Sequence, residues 1–202
     1  NGVVMRGGVA RSGGAIYALN CVVRTNCASF ENCVATTAGG GAVYVGTQPL
    51  TVTNTVFTGC EAQSCDGGAI YALGSTATIS DSRFGNCKST NTADKLNHGG
   101  GAIWTNAALT INTSSFEECT ASATGGAVWS NKNVIIDGTE TNRCVFDGCR
   151  AERGGTIFIS GDTVLSLTYA DFRNSTATAA EGGAVFQYKS SNQGAAGMRY
   201  GR

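Results

Sequence analysis

Nine cysteines, one histidine, fourteen acidic residues and sixteen aromatic ones carry whatever chemistry this 202-residue chain can do. Five of the cysteines, Cys33, Cys60, Cys87, Cys119 and Cys149, each stand three residues after a phenylalanine. That regular phase suits small buried hydrophobes stacked one per structural repeat. The alternative is disulfides between repeats, which needs Cα separations and dihedrals that parallel stacked side chains rarely offer. Cys21, Cys27, Cys65 and Cys144 fall outside the phase, and an odd total leaves at least one thiol unpaired or bridging two chains. With no zinc-ligand spacing and a single His98, no metal site and no cofactor are expected.

The carboxylates give no sign of acid–base catalysis. Cleaving a polysaccharide needs two or three of them converging on one cleft. Here Glu31, Glu61, Asp81, Glu117, Asp147 and Asp171 are dispersed, and no Asp-Asp pair occurs. His98 sits in the longest insertion, Asp94-Lys95-Leu96-Asn97-His98-Gly99, and reads as a solvated loop residue; Asp137 with Glu140, and Glu152 with Arg153, read as solvated loop charges. No nucleophile elbow or phosphate loop is present, because the glycine pairs precede strands rather than helices. The chain is therefore expected not to be an enzyme.

The aromatics are more orderly. Tyr17, Tyr44, Tyr71, Trp104, Trp129, Phe158 and Phe186 occupy one phase, and Phe30, Phe57, Phe84, Phe116, Phe146 and Phe172 another. Together they account for thirteen of the sixteen, so the aromatics mark a repeat. In the first phase each aromatic follows a β-branched residue or its equivalent, such as Ile16 before Tyr17. Placing the β-branched residue inside makes the aromatics an outward stripe that suits a partner chain or a sugar face. The reverse makes them a bland core stack. Two N-glycosylation sequons, at Asn112 and Asn174, fall on an outward strand position and a corner.

What must position these residues is a repeat of about 27 residues. Glycine pairs begin at Gly13, Gly40, Gly67, Gly100, Gly125, Gly154 and Gly182. Each repeat reads as three short strands: one like Ala15-Ile16-Tyr17, one alternating strand like Leu50-Thr51-Val52-Thr53, and one centred on the phenylalanine. Between Phe and Cys lies a turn position filled by Asn32, Gly59, Asn86, Glu118, Gly148 and Asn174, mostly residues that tolerate left-handed backbone. Strands this short bury a face only by stacking on neighbours. The fold expected is all-β: a right-handed parallel β-helix of about seven coils and three strands per coil, forming a single domain over residues 1–202, with 1–12 and 187–202 as incomplete terminal coils. Phe, Cys and the Ala two residues beyond would point inward, as would Leu50, Val52, Ile79, Leu109, Ile111, Leu165 and Leu167.

Composition narrows the function classes. Lys plus Arg equals Asp plus Glu, fourteen each, which argues against nucleic-acid binding and against a polybasic membrane-surface protein. No run approaches the ~18 apolar residues of a spanning helix. Collagen is excluded by the single proline.

Gly-Gly-Ala-(Ile/Val) alternating with Phe-x-x-(Asn) resembles the repeats of chlamydial polymorphic membrane proteins, over about residues 13–186. The family's Asn is Cys in five repeats here and Ser175 in the sixth. The resemblance implies a parallel β-helix on a cell surface, often adhesive or structural. The expectation is a non-catalytic extracellular or cell-surface solenoid that assembles with itself head to tail into a filament. Its terminal coils, with Val3, Val4, Met5, Val9, Met198 and Tyr200, would complete one another. A surface adhesin binding glycans through the aromatic stripe is the alternative, and a polysaccharide-cleaving enzyme is less favoured.

Overall fold

The computed structural model describes residues 2–93, 96–179 and 181–189, together with the backbone of the strand Met198–Tyr200. The chain enters on the strands Val3–Arg6 and Val9–Ala10 and then winds through repeated strands such as Ile16–Ala18, Val23–Asn26, Ala28–Glu31 and Val34–Ala35. Each strand pairs in parallel with its counterpart one repeat later, which builds four sheets of seven strands. The result is a parallel β-solenoid of about seven coils. We number the coils from their glycine pairs, coil one starting at Gly13.

Three of the four strands per coil are those expected. The fourth is only two residues long, Val34–Ala35 in coil one and Glu61–Ala62 in coil two. It follows the cysteine, and a segment this short leaves no alternation to recognise. Corners separate the strands at fixed phases. Between the phenylalanine strand and the short strand, the backbone turns left-handed at Asn32, Gly59, Asn86, Glu118, Gly148 and Asn174, with φ between 51° and 66°. The glycine pair serves two purposes. Gly67 adopts φ +65°, and a Cβ on Gly68 would overlap the Gly101 carbonyl oxygen of the next coil. Left-handed backbone accounts for the first glycine, and close stacking of coils for the second.

Inside, each phase forms a column. Phe30, Phe57, Phe84, Phe116 and Phe146 are fully buried, and their rings stack with Phe172 at centroid steps of 4.6–4.9 Å and interplanar angles of 8° or less. Leu50, Ala77, Leu109, Val134 and Leu165 form a second column in strict register, with Val52, Ile79, Ile111 and Ile136 beside it. The extra residues of coil five leave that register untouched, because they bulge out as a loop after Asp137, closed by hydrogen bonds between Thr139 and Asn142. A buried hydroxyl row, Thr25, Thr55, Ser82 and Ser114, lines one corner. There Thr55 N–H donates to Ser82 Oγ and Ser82 N–H to Ser114 Oγ, both at 3.1 Å, which satisfies backbone donors that the turn leaves unpaired.

At the ends, Val3–Arg6 pairs with Ala28–Glu31, and Met198–Tyr200 pairs with Leu165–Leu167. Val3, Val4 and Val9 are more than half exposed, whereas Met5 packs beneath the phenylalanine column. The side chains of Met198 and Tyr200, the whole of Asn1, residues 190–197 and 201–202 lie outside the described residues. Among the described residues no helix is long and apolar enough to cross a membrane.

Candidate functional site

The aromatic residues of the glycine-pair sheet form a second ladder, on the outer face of that sheet. Strand alternation sends Val43, Ile70, Ile103, Val128 and Ile157 into the core and their aromatic neighbours outward. Register carries Tyr17, Tyr44, Tyr71, Trp104, Trp129, Phe158 and Phe186 into one line. Tyr44, Tyr71, Trp104 and Trp129 stack at 5.2, 4.3 and 4.7 Å, nearly parallel, while Tyr17 tilts by 33° against Tyr44.

Outward does not mean exposed. Tyr17 is 54 % exposed and Tyr44 and Tyr71 are half-buried, yet Trp129 is 2 % and Phe158 0 % exposed. Much of the cover is a strap, of which residues 91–93 and 96–98 are described, part of the insertion that lengthens coil three to 33 residues. Trp104 Nε1–H donates to the Asn97 carbonyl at 3.2 Å, and Trp129 Nε1–H to the Leu96 carbonyl at 3.1 Å. Leu96 packs against the rings. The strap thus supplies what a covered indole needs, an apolar cover and an acceptor for its N–H.

A carboxylate holds the strap down. Asp66 Oδ2 lies 2.7 Å from His98 Nδ1, and Asp66 Oδ1 accepts from the Gly99 N–H at 2.9 Å. Asn91 Nδ2 reaches Asp66 Oδ2 at 3.5 Å, and the Thr124 hydroxyl donates to the His98 carbonyl at 2.7 Å. Burial pushes the Asp66 carboxyl above its usual range, against the opposing pull of His98 and the Gly99 N–H. His98 is therefore no solvated loop residue. Its side chain is 31 % exposed and bonded to a nearly buried acid. Asp66 escaped the reading of the sequence. Its one signal was position: it stands directly before the glycine pair of the coil that carries the insertion.

No protein-family model matches this chain, and no curated protein or solved structure is significantly similar to it.

The other candidate residues sit apart from the ladder. Cys33, Cys60, Cys87, Cys119 and Cys149 are fully buried, and all nine cysteines are free thiols. Cys60, Cys87, Cys119 and Cys149 point their Sγ at carbonyls of the preceding coil's phenylalanines, 3.6–3.8 Å away. Burial raises the Cys65 thiol to about 11, which makes it a poor nucleophile. Among the described residues no cluster of His, Cys, Asp and Glu could hold a metal ion. Acids instead pair with arginines, many across coils: Glu31 with Arg6, Glu117 with Arg83, and Asp171 with Arg143 and Arg173. Asn112 donates to Ser80 Oγ and Asn174 to Asp147 Oδ1, so both sequon side chains are already engaged at the surface.

Burial raises the phenols of Tyr44 and Tyr71, the latter further because Asp66 is near. Each stays a protonated donor at neutral pH. Because the rings stack on one another, their faces are used up, and what they offer outward is edges and hydroxyls. Tyr17, at one end of the line, has a ring neighbour on one face alone among the described residues. It borders a groove of about 530 Å³ lined by Ala10, Arg11, Ser12, Tyr17 and Ala38.

Proposed function

We propose that this chain is a non-catalytic structural β-solenoid of an extracellular or cell-surface assembly, extended by stacking further coils on its end layers. The observation that carries this reading is the unbroken register of four seven-stranded sheets. Each end layer presents strand edges whose outward N–H and C=O groups point along the axis, ready for parallel pairing. Val3, Val4 and Val9 lie exposed on the Val3–Arg6 and Val9–Ala10 edges, where another layer would cover them. The coils that pair there belong to a second copy, stacked head to tail. The dispersal of the acids into ion pairs favours a passive rod over an enzyme. Surface location is supported by the resemblance of the repeats to those of polymorphic membrane proteins.

Electron microscopy of the purified chain across a concentration series tests self-stacking. Unbranched fibres of constant width are expected. Particles of single-chain mass at every concentration would rule self-assembly out. The second reading, a glycan-binding adhesin, rests on the face of Tyr17 that no described ring covers, since sugars stack on ring faces. It predicts loss of glycan-array binding on Tyr17→Ala but not on Trp129→Ala, because that indole lies under the strap.

A further inference from the structure

The strap shows what kind of molecule this ladder accepts. Over Trp104 and Trp129 the occupant is a polypeptide turn at Leu96 and Asn97 that offers carbonyl oxygens to ring-borne N–H donors and one leucine to the rings. The same ladder continues without interruption into coils one to three, where that cover stops. There Tyr17, Tyr44 and Tyr71 offer hydroxyls in place of indole N–H groups, on the same face of the same sheet. Leu19 and Leu73, just past the ends of the strands Ile16–Ala18 and Ile70–Ala72, are 48 % and 37 % exposed. A cation borders this face as well. Arg11 lines the groove beside Tyr17, and among the described residues it meets no acid, only the Thr37 hydroxyl at 3.5 Å.

We propose that the outer face of the glycine-pair sheet in coils one to three is a docking surface for an acidic polypeptide segment. The segment lies across Tyr17, Tyr44 and Tyr71, continues the line of the strap, and places a carboxylate at Arg11. Backbone carbonyls accept from the phenols, and an apolar side chain rests between Leu19 and Leu73. This is independent of end-to-end stacking, because the surface lies on the flank of the rod. A polypeptide fits better than a sugar because ring faces are consumed within the stack, while hydroxyl donors and an unpaired guanidinium are what a peptide's carbonyls and carboxylates require.

A displayed random-peptide library panned against the whole chain tests this. The enriched sequences are expected to carry an excess of Asp and Glu together with Leu or an aromatic residue. A synthetic enriched peptide should lose about tenfold or more in affinity against Tyr44→Ala and against Arg11→Gln. Affinity should also fall with added salt. Ile135→Ser, on the neighbouring sheet, should leave binding unchanged. Tyr17→Ser, at the exposed end of the ladder, serves as the substitute if Tyr44→Ala lowers the melting temperature. No enrichment, or peptides that bind wild type and both variants alike, would overturn the proposal. So would a glycan array whose signal, rather than the peptide's, disappears with these substitutions. Sensitivity to the tyrosine alone, without Arg11 or salt, would overturn the acidic character of the partner.

Discussion

The two halves of the outer ladder share one geometry and differ in fate. In coils one to three the rings are tyrosines, open to solvent at Tyr17 and half-buried at Tyr44 and Tyr71; in coils four to six they are Trp104, Trp129 and Phe158, buried on what is formally the outside of the solenoid. Ring spacing and register barely change across the boundary. What changes is a single insertion whose strap is held by one carboxylate. In a solenoid a local addition to one coil can bury the flank of the two coils after it, because every coil presents the same phase at the same place. Residue choice follows: phenols where the rim meets water, indoles and phenyl where it does not.

The sharpest way to break this comparison is to remove one ring from each half. Trp129→Ala should cost about 3–5 kcal/mol of stability, as for any buried large aromatic. Tyr17→Ala should cost no more than about 1 kcal/mol, the scale of one stacking contact. Chemical denaturation of both variants checks this, and equal losses would mean that the strap does not set the energetics of the ladder. Next in size is the clasp. Asp66→Ala leaves the Gly99 N–H without its acceptor and removes one of the two His98 Nδ1 contacts, a penalty of about 1–3 kcal/mol. Both tryptophans lie under the strap, so their emission should shift to the red and acrylamide should quench it, while the core stays folded. Unchanged emission would show that the strap holds without its carboxylate.

Acidity gives a smaller effect with a definite sign. The Asp66 carboxyl is raised in the folded chain, so its protonated form favours folding. That contribution is complete below the ordinary carboxylate range and fades as pH rises through the elevated folded value. Half-buried Glu31 and Asp171, lowered by their arginines, act in the opposite sense and lose their contribution as pH falls. The difference between wild type and Asp66→Asn isolates the buried group. Its stability advantage for wild type should shrink as pH rises through the mildly acidic range, and a growing advantage would reverse the assignment. The smallest effect serves as a control. Glu118 holds φ 51° at a corner where other coils use Asn or Gly. Glu118→Gly relieves that left-handed strain and should stabilise the whole rod by about 1 kcal/mol, with no change in tryptophan emission.

The repeat was legible because each structural demand recurs and draws the same residue type each time: glycine where the backbone turns left-handed and coils touch, phenylalanine in the core column, cysteine at the narrow corner beside it. Strand alternation put Ile16 and Tyr17 and their equivalents on opposite faces of the glycine-pair sheet, but left open which face is the inner one. Features too short to show a period, or that occur once, were harder to read. The two-residue strand at Glu61–Ala62 is too short to show a period, and its pairing depends on the coils above and below. Asp66 and His98 are 32 residues apart and meet only because one coil lies on the next. Nothing in the local residue pattern announces that meeting. Outward was also equated with exposed, which fails wherever a later segment folds back across the surface.

Because the chain pairs with itself from coil to coil, the hydrogen bonds linking neighbouring strands run along the rod rather than across it. A pull on the two ends therefore peels bonds open a few at a time instead of shearing a whole sheet at once. Each coil of 27 residues, such as that from Phe30 to Phe57, stores about 90 Å of contour at about 3.4 Å per residue. The rod is thus stiff under bending yet extensible under tension, yielding coil by coil. The covered half, with its strap fastened over two coils by Asp66, is where such peeling would pause.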